Sequence, residues 1–187
     1  MLLEKMEASE YLGGEFLVWL HWRVMEADGE IDLSGSGAEV APDGCRRVSV
    51  SFSRSVTLID PVESETVTVK MGNPAGSPEV LHALRQGKVF GAARLDLAWL
   101  TPSGESREYG ASVKAATLGL SGVVAPVLMD VDDDPVQRII EETWLMAELD
   151  ALVLALFRTF LDIRLSDQWA DDLAGIRRSI EEDEQHA

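Results

Sequence analysis

An α+β fold built on an antiparallel sheet of about five strands is what this sequence predicts, from three observations. Apolar residues repeat with helical spacing at both ends of the chain. They alternate with period two across the middle, and the two patterns are segregated, not interleaved. Segregation favours antiparallel pairing, because parallel strands need a crossover connection between each pair. The expected architecture is an N-terminal helix, a sheet with one short helix inserted, a long C-terminal helix and a final helix. Residues 1–125 are expected to form the sheet domain and 126–187 a helical arm packed on it as part of a single structural unit.

In the N-terminal segment Leu12, Phe16, Trp19, Leu20 and Arg23 recur at i, i+3 and i+4, and Leu17 and Val18 widen the apolar stripe. This predicts a helix from Gly13 to Ala27, ended by Asp28-Gly29 and buried on more than one side. Ser34-Gly35-Ser36-Gly37 and Pro42-Asp43-Gly44 mark a loop. Val48, Val50 and Phe52 then alternate with Arg47, Ser49 and Ser51, and Ser55 to Asp60 reads as a second strand. Glu65 to Met71 alternates again, with Val67, Val69 and Met71 inward and Thr66, Thr68 and Lys70 outward.

Ser77 is a good N-cap, Pro78 suits the first helical position, Glu79 complements the dipole and Gly87 suits the stop. Val80, Leu81 and Leu84 give that short helix its apolar side. Lys88–Leu100 and Ser106–Leu118 follow as a hairpin around Pro102-Ser103-Gly104. Residues 123–134 read as a connector. Asp134-Pro135 opens a helix reaching Leu165, about 45 Å at 1.5 Å per residue. Ser166 caps a last helix through Trp169, Leu173 and Ile176, which ends in Glu181-Glu182-Asp183-Glu184.

With 187 residues, 46% of them hydrophobic, the chain can bury one good core. Cys45 is the single cysteine, which excludes an internal disulfide and a multi-cysteine metal site. Glu4, Glu7 and Glu10 give the start the wrong charge for a secretory leader. The most apolar stretch, Trp144–Leu161, is broken by Glu148, Asp150 and Arg158, so no membrane span is expected and the cytoplasm is the expected location. The net charge of −17 is unevenly spread. Ala41–Lys114 holds nine Lys/Arg against eight Asp/Glu, and the rest holds seven against 25.

No pattern for hydrolytic or redox chemistry is present. GxSxG, HExxH and dinucleotide fingerprints are missing, and His21, His82 and His186 lack ligands at metal spacing. The GNPAGSPE segment (Gly72–Glu79) enters a helix N-terminus but has no phosphate-gripping lysine, and reads as a turn with a cap. Asp130, Asp132, Asp134 and Glu141 mimic a calcium loop, yet Pro135 stands where the sharp turn needs glycine. A binding protein without cofactor or metal is the expectation.

The strand parities put Arg47, Lys70, Lys88, Arg94 and Lys114 on the outward sheet face, among Ser49, Ser51, Thr66 and Thr68. Val89, Leu95, Leu97 and Trp99 face the core, so Lys88 and Arg94 do not, and Phe90 is the one outward aromatic. Cations and hydroxyls on one surface suit sequence-independent phosphate contacts with duplex DNA, although Asp96 and Glu108 offset the charge and an ordinary solvated face looks the same. Five contacts imply a log–log salt slope of about −4.5. The long helix carries Leu149, Leu152, Leu156 and Phe160 in a stripe that the sheet covers only in part, so these four are expected to form a dimer interface.

Ser77–Lys88, read as S-P-E-V-L-H-A-L-R-Q-G-K, resembles the helix-plus-Gly-Lys passage of the recombination-associated protein RdgC family. The following KVFGAARLDLAW is similar to that family's basic-then-apolar strand leading to a tryptophan, and Arg138–Leu156 resembles its late helix. The resemblance runs from Val67 to Leu165, about half the chain. It implies a non-enzymatic, dimeric, sequence-independent duplex-DNA binder that encircles DNA and restrains recombinase activity. The family's large N-terminal part has no counterpart in these residues, which leaves ring closure outside the expectation. Its basic cluster before the helix is reduced here to Lys70, so Lys70 and Lys88 are the residues that carry over. The expectation is a DNA-associated accessory protein; the alternatives are a protein–protein adaptor and a DNA-mimicking inhibitor acting through the acidic surface and the long helix.

Overall fold

The structure, a computed structural model, describes residues 2–127 and 135–181, with residues 2–11 described as helical backbone only. Among these the elements are, in chain order, α1 (Leu2–Glu26), β1 (Glu30–Asp32), α2 (Gly35–Val40), β2 (Arg47–Ile59), β3 (Thr66–Lys70), α3 (Pro78–Arg85), β4 (Val89–Leu100), β5 (Ser106–Lys114), β6 (Leu120–Val124), α4 (Pro135–Arg164) and α5 (Gln168–Glu181). The strands form one antiparallel sheet in which β2, β4, β5 and β6 lie side by side. On the other edge of β2, β1 pairs with its first half and β3 with its second. The α+β class, the antiparallel sheet and the helices at both ends agree with the sequence reading. No helix among the described residues is long and apolar enough to cross a membrane.

One sheet face is apolar because the strands alternate. Val48, Val50, Phe52, Val56 and Leu58 of β2 are buried beside Leu95, Leu97 and Trp99 of β4 and Tyr109, Ala111 and Val113 of β5. Phe16, Trp19 and Leu20 of α1 and Leu149, Leu152, Leu156 and Phe160 of α4 complete a single core. Phe16 meets Phe157 edge-on at 5.3 Å, and Phe160 meets Trp169 of α5 edge-on at 5.8 Å. Trp19 Nε1 donates to Asp172 Oδ2 at 3.0 Å, and Arg85 Nε to the Ile180 carbonyl at 2.5 Å, which ties α5 to α1 and α3.

This packing corrects the expected dimer surface. Leu149, Leu152, Leu156 and Phe160 are wholly buried inside one chain, where α1 and α2 supply the cover that the sheet alone does not. The contact with α2 is close enough to need glycine. A Cβ on Gly37 would stand 2.0 Å from Thr159 Oγ1 and 2.6 Å from the Ala155 carbonyl oxygen. The GSGAEV sequence of α2 carries loop-forming residues and no helical period, which is why periodicity alone points to a second protomer for this cover.

Two irregularities also depart from the expected alternation. β2 is one long strand, not two, and carries a bulge where the register passes from Phe52↔Leu95 to Val56↔Ala93. Arg54 sits in that bulge with φ +57. A second shift takes Thr57↔Ala92 to Leu58↔Phe90, skipping Gly91. A Cβ on Gly91 would lie 2.1 Å from Ile59 Cδ1, so a larger residue there would have to push the Ile59 side chain aside. The bulge reverses parity at the start of β4, and Phe90, expected outward, is buried.

Phe90 helps enclose His21 of α1, whose ring lies 5.4 Å from that of Phe90 and 5.6 Å from that of Phe52. His21 Nε2 donates to the Ala75 carbonyl at 2.7 Å. Burial lowers the His21 pKa below its usual 6.5, against the opposing effect of the Ala75 hydrogen bond. The unfolded chain therefore binds a proton that the folded chain refuses. This stability contribution is complete above about pH 6.5 and shrinks as pH falls through it. The excess thermal midpoint of the native chain over a His21→Phe variant should accordingly narrow between neutral and mildly acid pH; a constant difference would contradict a neutral buried imidazole.

Candidate nucleic-acid interface

The helices pack on the apolar face, and the opposite face of the sheet carries exposed polar side chains. Register fixes what lies beside what on it. Thr68 of β3 pairs with Thr57, Thr57 with Ala92, and Ala92 with Lys114. One step along, Lys70 pairs with Ser55 of β2, Arg94 faces the β2 bulge and pairs with Ser112, and Ser112 pairs with Ser121. The next row holds Ser51, Asp96, Gly110 and Val124, and the row beyond it Glu30, Ser49, Ala98 and Glu108. The first two rows, the cationic half, therefore hold Lys70, Arg94 and Lys114, and the next two hold Asp96, Glu30 and Glu108, with Arg94 and Asp96 meeting over Gly110 at the boundary.

Of the five cations read from the sequence, three belong to the cationic half. Lys70 and Lys114 are exposed. Arg94 lies low between them, 8% exposed, and its Nη1 donates to the Gly122 carbonyl. Its buried Nε has no hydrogen-bond partner among the described residues. The other two are engaged elsewhere. Arg47 Nε lies 2.7 Å from Asp32 Oδ1 and 4.0 Å from Glu30 Oε2, and the Asp32 hydrogen bond raises its pKa further. Lys88 is 6% exposed with Nζ 2.6 Å from Glu65 Oε2, and that hydrogen bond raises its pKa against the effect of burial. The Gly91 bulge explains the Lys88 correction, since counting parity back from Leu95 without it puts Lys88 beside Arg94.

One cation was missed. Arg54, exposed at the β2 bulge, joins Arg94, Asp96, Ser49, Ser51 and Glu108 in lining an open groove of about 520 Å³. Arg54 falls on the inward parity between Phe52 and Val56, and a charge at an inward position is itself a bulge signal. The cationic half thus holds Lys70, Arg54, Arg94 and Lys114 from four neighbouring columns, with Ser55, Thr57, Thr68 and Ser112 among them. At about 4.8 Å per strand this band is about 14 Å wide.

Ser77 Oγ accepts from the Val80 amide at 3.2 Å, so Gly72–Glu79 is a turn and a cap. Asp130, Asp132 and Asp134 lie outside the described residues, as does His186, while Glu141 lies in α4. No group of three or more His, Cys, Asp or Glu side chains among the described residues could hold a metal ion. Burial pushes the Cys45 thiol up to about 11, which keeps it protonated and unreactive at neutral pH. Comparison with family models, curated proteins and solved structures finds no match for this chain, so the resemblance to the RdgC family stands on the quoted residues alone.

Proposed function

We propose that the chain is a non-enzymatic accessory protein that binds the phosphate backbone of duplex DNA, without base preference, through the cationic half of its open sheet face. The observation that carries this reading is the gathering of Lys70, Arg54, Arg94 and Lys114 on one half of one face in a chain of net charge −17. The 14 Å band is comparable with the ~12 Å major groove, so the band can reach phosphates on both of its rims. Lys70, Arg54 and Lys114 make the contacts; Arg94, held on the Gly122 carbonyl, adds positive potential beneath them. Asp96, Glu108 and Glu30 repel phosphates from the other half and restrict how the duplex lies. A role in recombination follows from the sequence resemblance.

Fluorescence polarisation with a labelled mixed-sequence duplex, titrated across salt concentrations, tests this. Three phosphate contacts give a log–log slope of about −2.7, at roughly −0.9 per contact, and the same affinity for unrelated duplexes. No binding even at low salt, or an affinity that follows base sequence, would overturn the reading.

A further inference from the structure

We propose that the open groove over Gly110 is a binding site for a small zwitterion, an aliphatic α-amino acid. Its carboxylate lies on Arg94 and Arg54, and its ammonium lies on Asp96 and Glu108. The hollow arises from the row Ser51, Asp96, Gly110 and Val124, in which Gly110 contributes no side chain. Arg94 Nη2 and Asp96 Oδ1 close on that gap from two sides. They stand 2.6 and 3.0 Å from the point that a Gly110 Cβ would occupy. Even so, the two do not pair with each other, and neither forms an ion pair with another described residue.

Arg94 is the group that asks for a ligand. It is 8% exposed, and its Nη1 donates to the Gly122 carbonyl. Its buried Nε has no partner, and its Nη2 makes no hydrogen bond among the described residues. A guanidinium this far withdrawn from water, with no counter-charge beside it, favours an anion at its open nitrogen. Arg54 lines the same groove from the β2 bulge and adds a second cation.

Charge and shape then select the class of ligand. Asp96 and Glu108 line the groove beside the two arginines, and both are exposed and without an ion pair among the described residues. Two cations and two carboxylates balance, so a simple anion or a simple cation meets a like charge as well as an opposite one. A zwitterion meets an opposite charge at both ends. Arg94 and Asp96 converge on one point, so the two ligand charges must lie close together, as they do on a single α-carbon. On the β6 side the wall is apolar, with Val124 (56% exposed) and Pro126 offering a seat to an aliphatic side chain. The amino-acid site stands independently of DNA binding: Lys70 and Lys114 lie outside the groove lining, and its test contains no nucleic acid.

Isothermal titration calorimetry with L-leucine and L-valine on the native chain tests the site. Isocaproate, which is leucine without its ammonium, and isoamylamine, which is leucine without its carboxylate, are the matched probes. L-leucine should bind one per chain and at least about tenfold more tightly than either probe. Asp96→Asn should weaken leucine about tenfold while the thermal midpoint stays native, because the side chain is exposed and unpaired. If Asp96→Asn melts early, Glu108→Gln is measured and should weaken leucine in the same direction. No binding of either amino acid at millimolar concentration would overturn the proposal. So would equal binding of leucine and isocaproate, which would make the groove a plain anion site, or native affinity in both carboxylate variants.

Discussion

Replacing Glu148 by alanine should cost about 3–5 kcal/mol of folding stability, the range for stranding one partner of a buried ion pair. Glu148 is buried on α4 and accepts three hydrogen bonds: from Tyr109 Oη at 2.6 Å, from Arg107 Nη1 at 2.8 Å and from Trp99 Nε1 at 3.2 Å. It is the polar clamp between the long helix and the β4–β5 hairpin. Alanine leaves the largely buried Arg107 without its carboxylate and two buried donors without an acceptor. Tyr109 feels the same clamp, since burial first and the Glu148 hydrogen bond second push its phenol well above the ordinary tyrosine range. The urea midpoint reads the loss. A double Glu148→Leu, Arg107→Met variant should be much less damaged, because it removes both charges together. A cost below about 1 kcal/mol for the single variant would mean that the helix is held by apolar packing alone.

Phe160→Ala should also cost about 3–5 kcal/mol, as expected for truncating a fully buried aromatic. The ring touches Phe16, Trp19, Phe157 and Trp169, so the cavity opens where α1, α4 and α5 meet. The loss should be the same at every protein concentration. A loss that diminishes as the protein is concentrated would return Phe160, with Leu149, Leu152 and Leu156, to a subunit interface.

The long regular elements were legible because burial writes itself into periodicity. The helical stripe through Phe16 and Trp19, the alternation from Val48 to Phe52 and the Ser77-Pro78 start were visible residue by residue. The long helix was visible too, but what its apolar residues touch was not. Leu149 to Phe160 need cover, and periodicity does not distinguish cover by α2 from cover by another chain. The six residues of α2 are too short and too rich in glycine and serine to show a period, and β1 and β6 are strands of three and five residues. The site suffered from two bulges. Parity counting carries side-chain direction along a strand only while the register is unbroken, so Gly91 misplaced Lys88 and Phe90, and the bulge at Arg54 hid a cation of the open face. Arg47 was given its correct direction, yet its neutralisation depends on Asp32 of β1, a strand that the sequence did not reveal.

The cationic half-face is tested most directly by an Arg54→Asn, Lys114→Ala double variant set against Arg47→Ala in the same salt titration on duplex DNA. Asparagine tolerates the left-handed backbone at position 54, and both side chains are exposed, so the fold is preserved. Removing two of three contacts should bring the slope from about −2.7 to about −0.9 and weaken all duplexes alike, while Arg47→Ala keeps the native slope. A double variant with the native slope, or an Arg47→Ala variant that loses one contact, would contradict the assignment of phosphate binding to this half of the sheet.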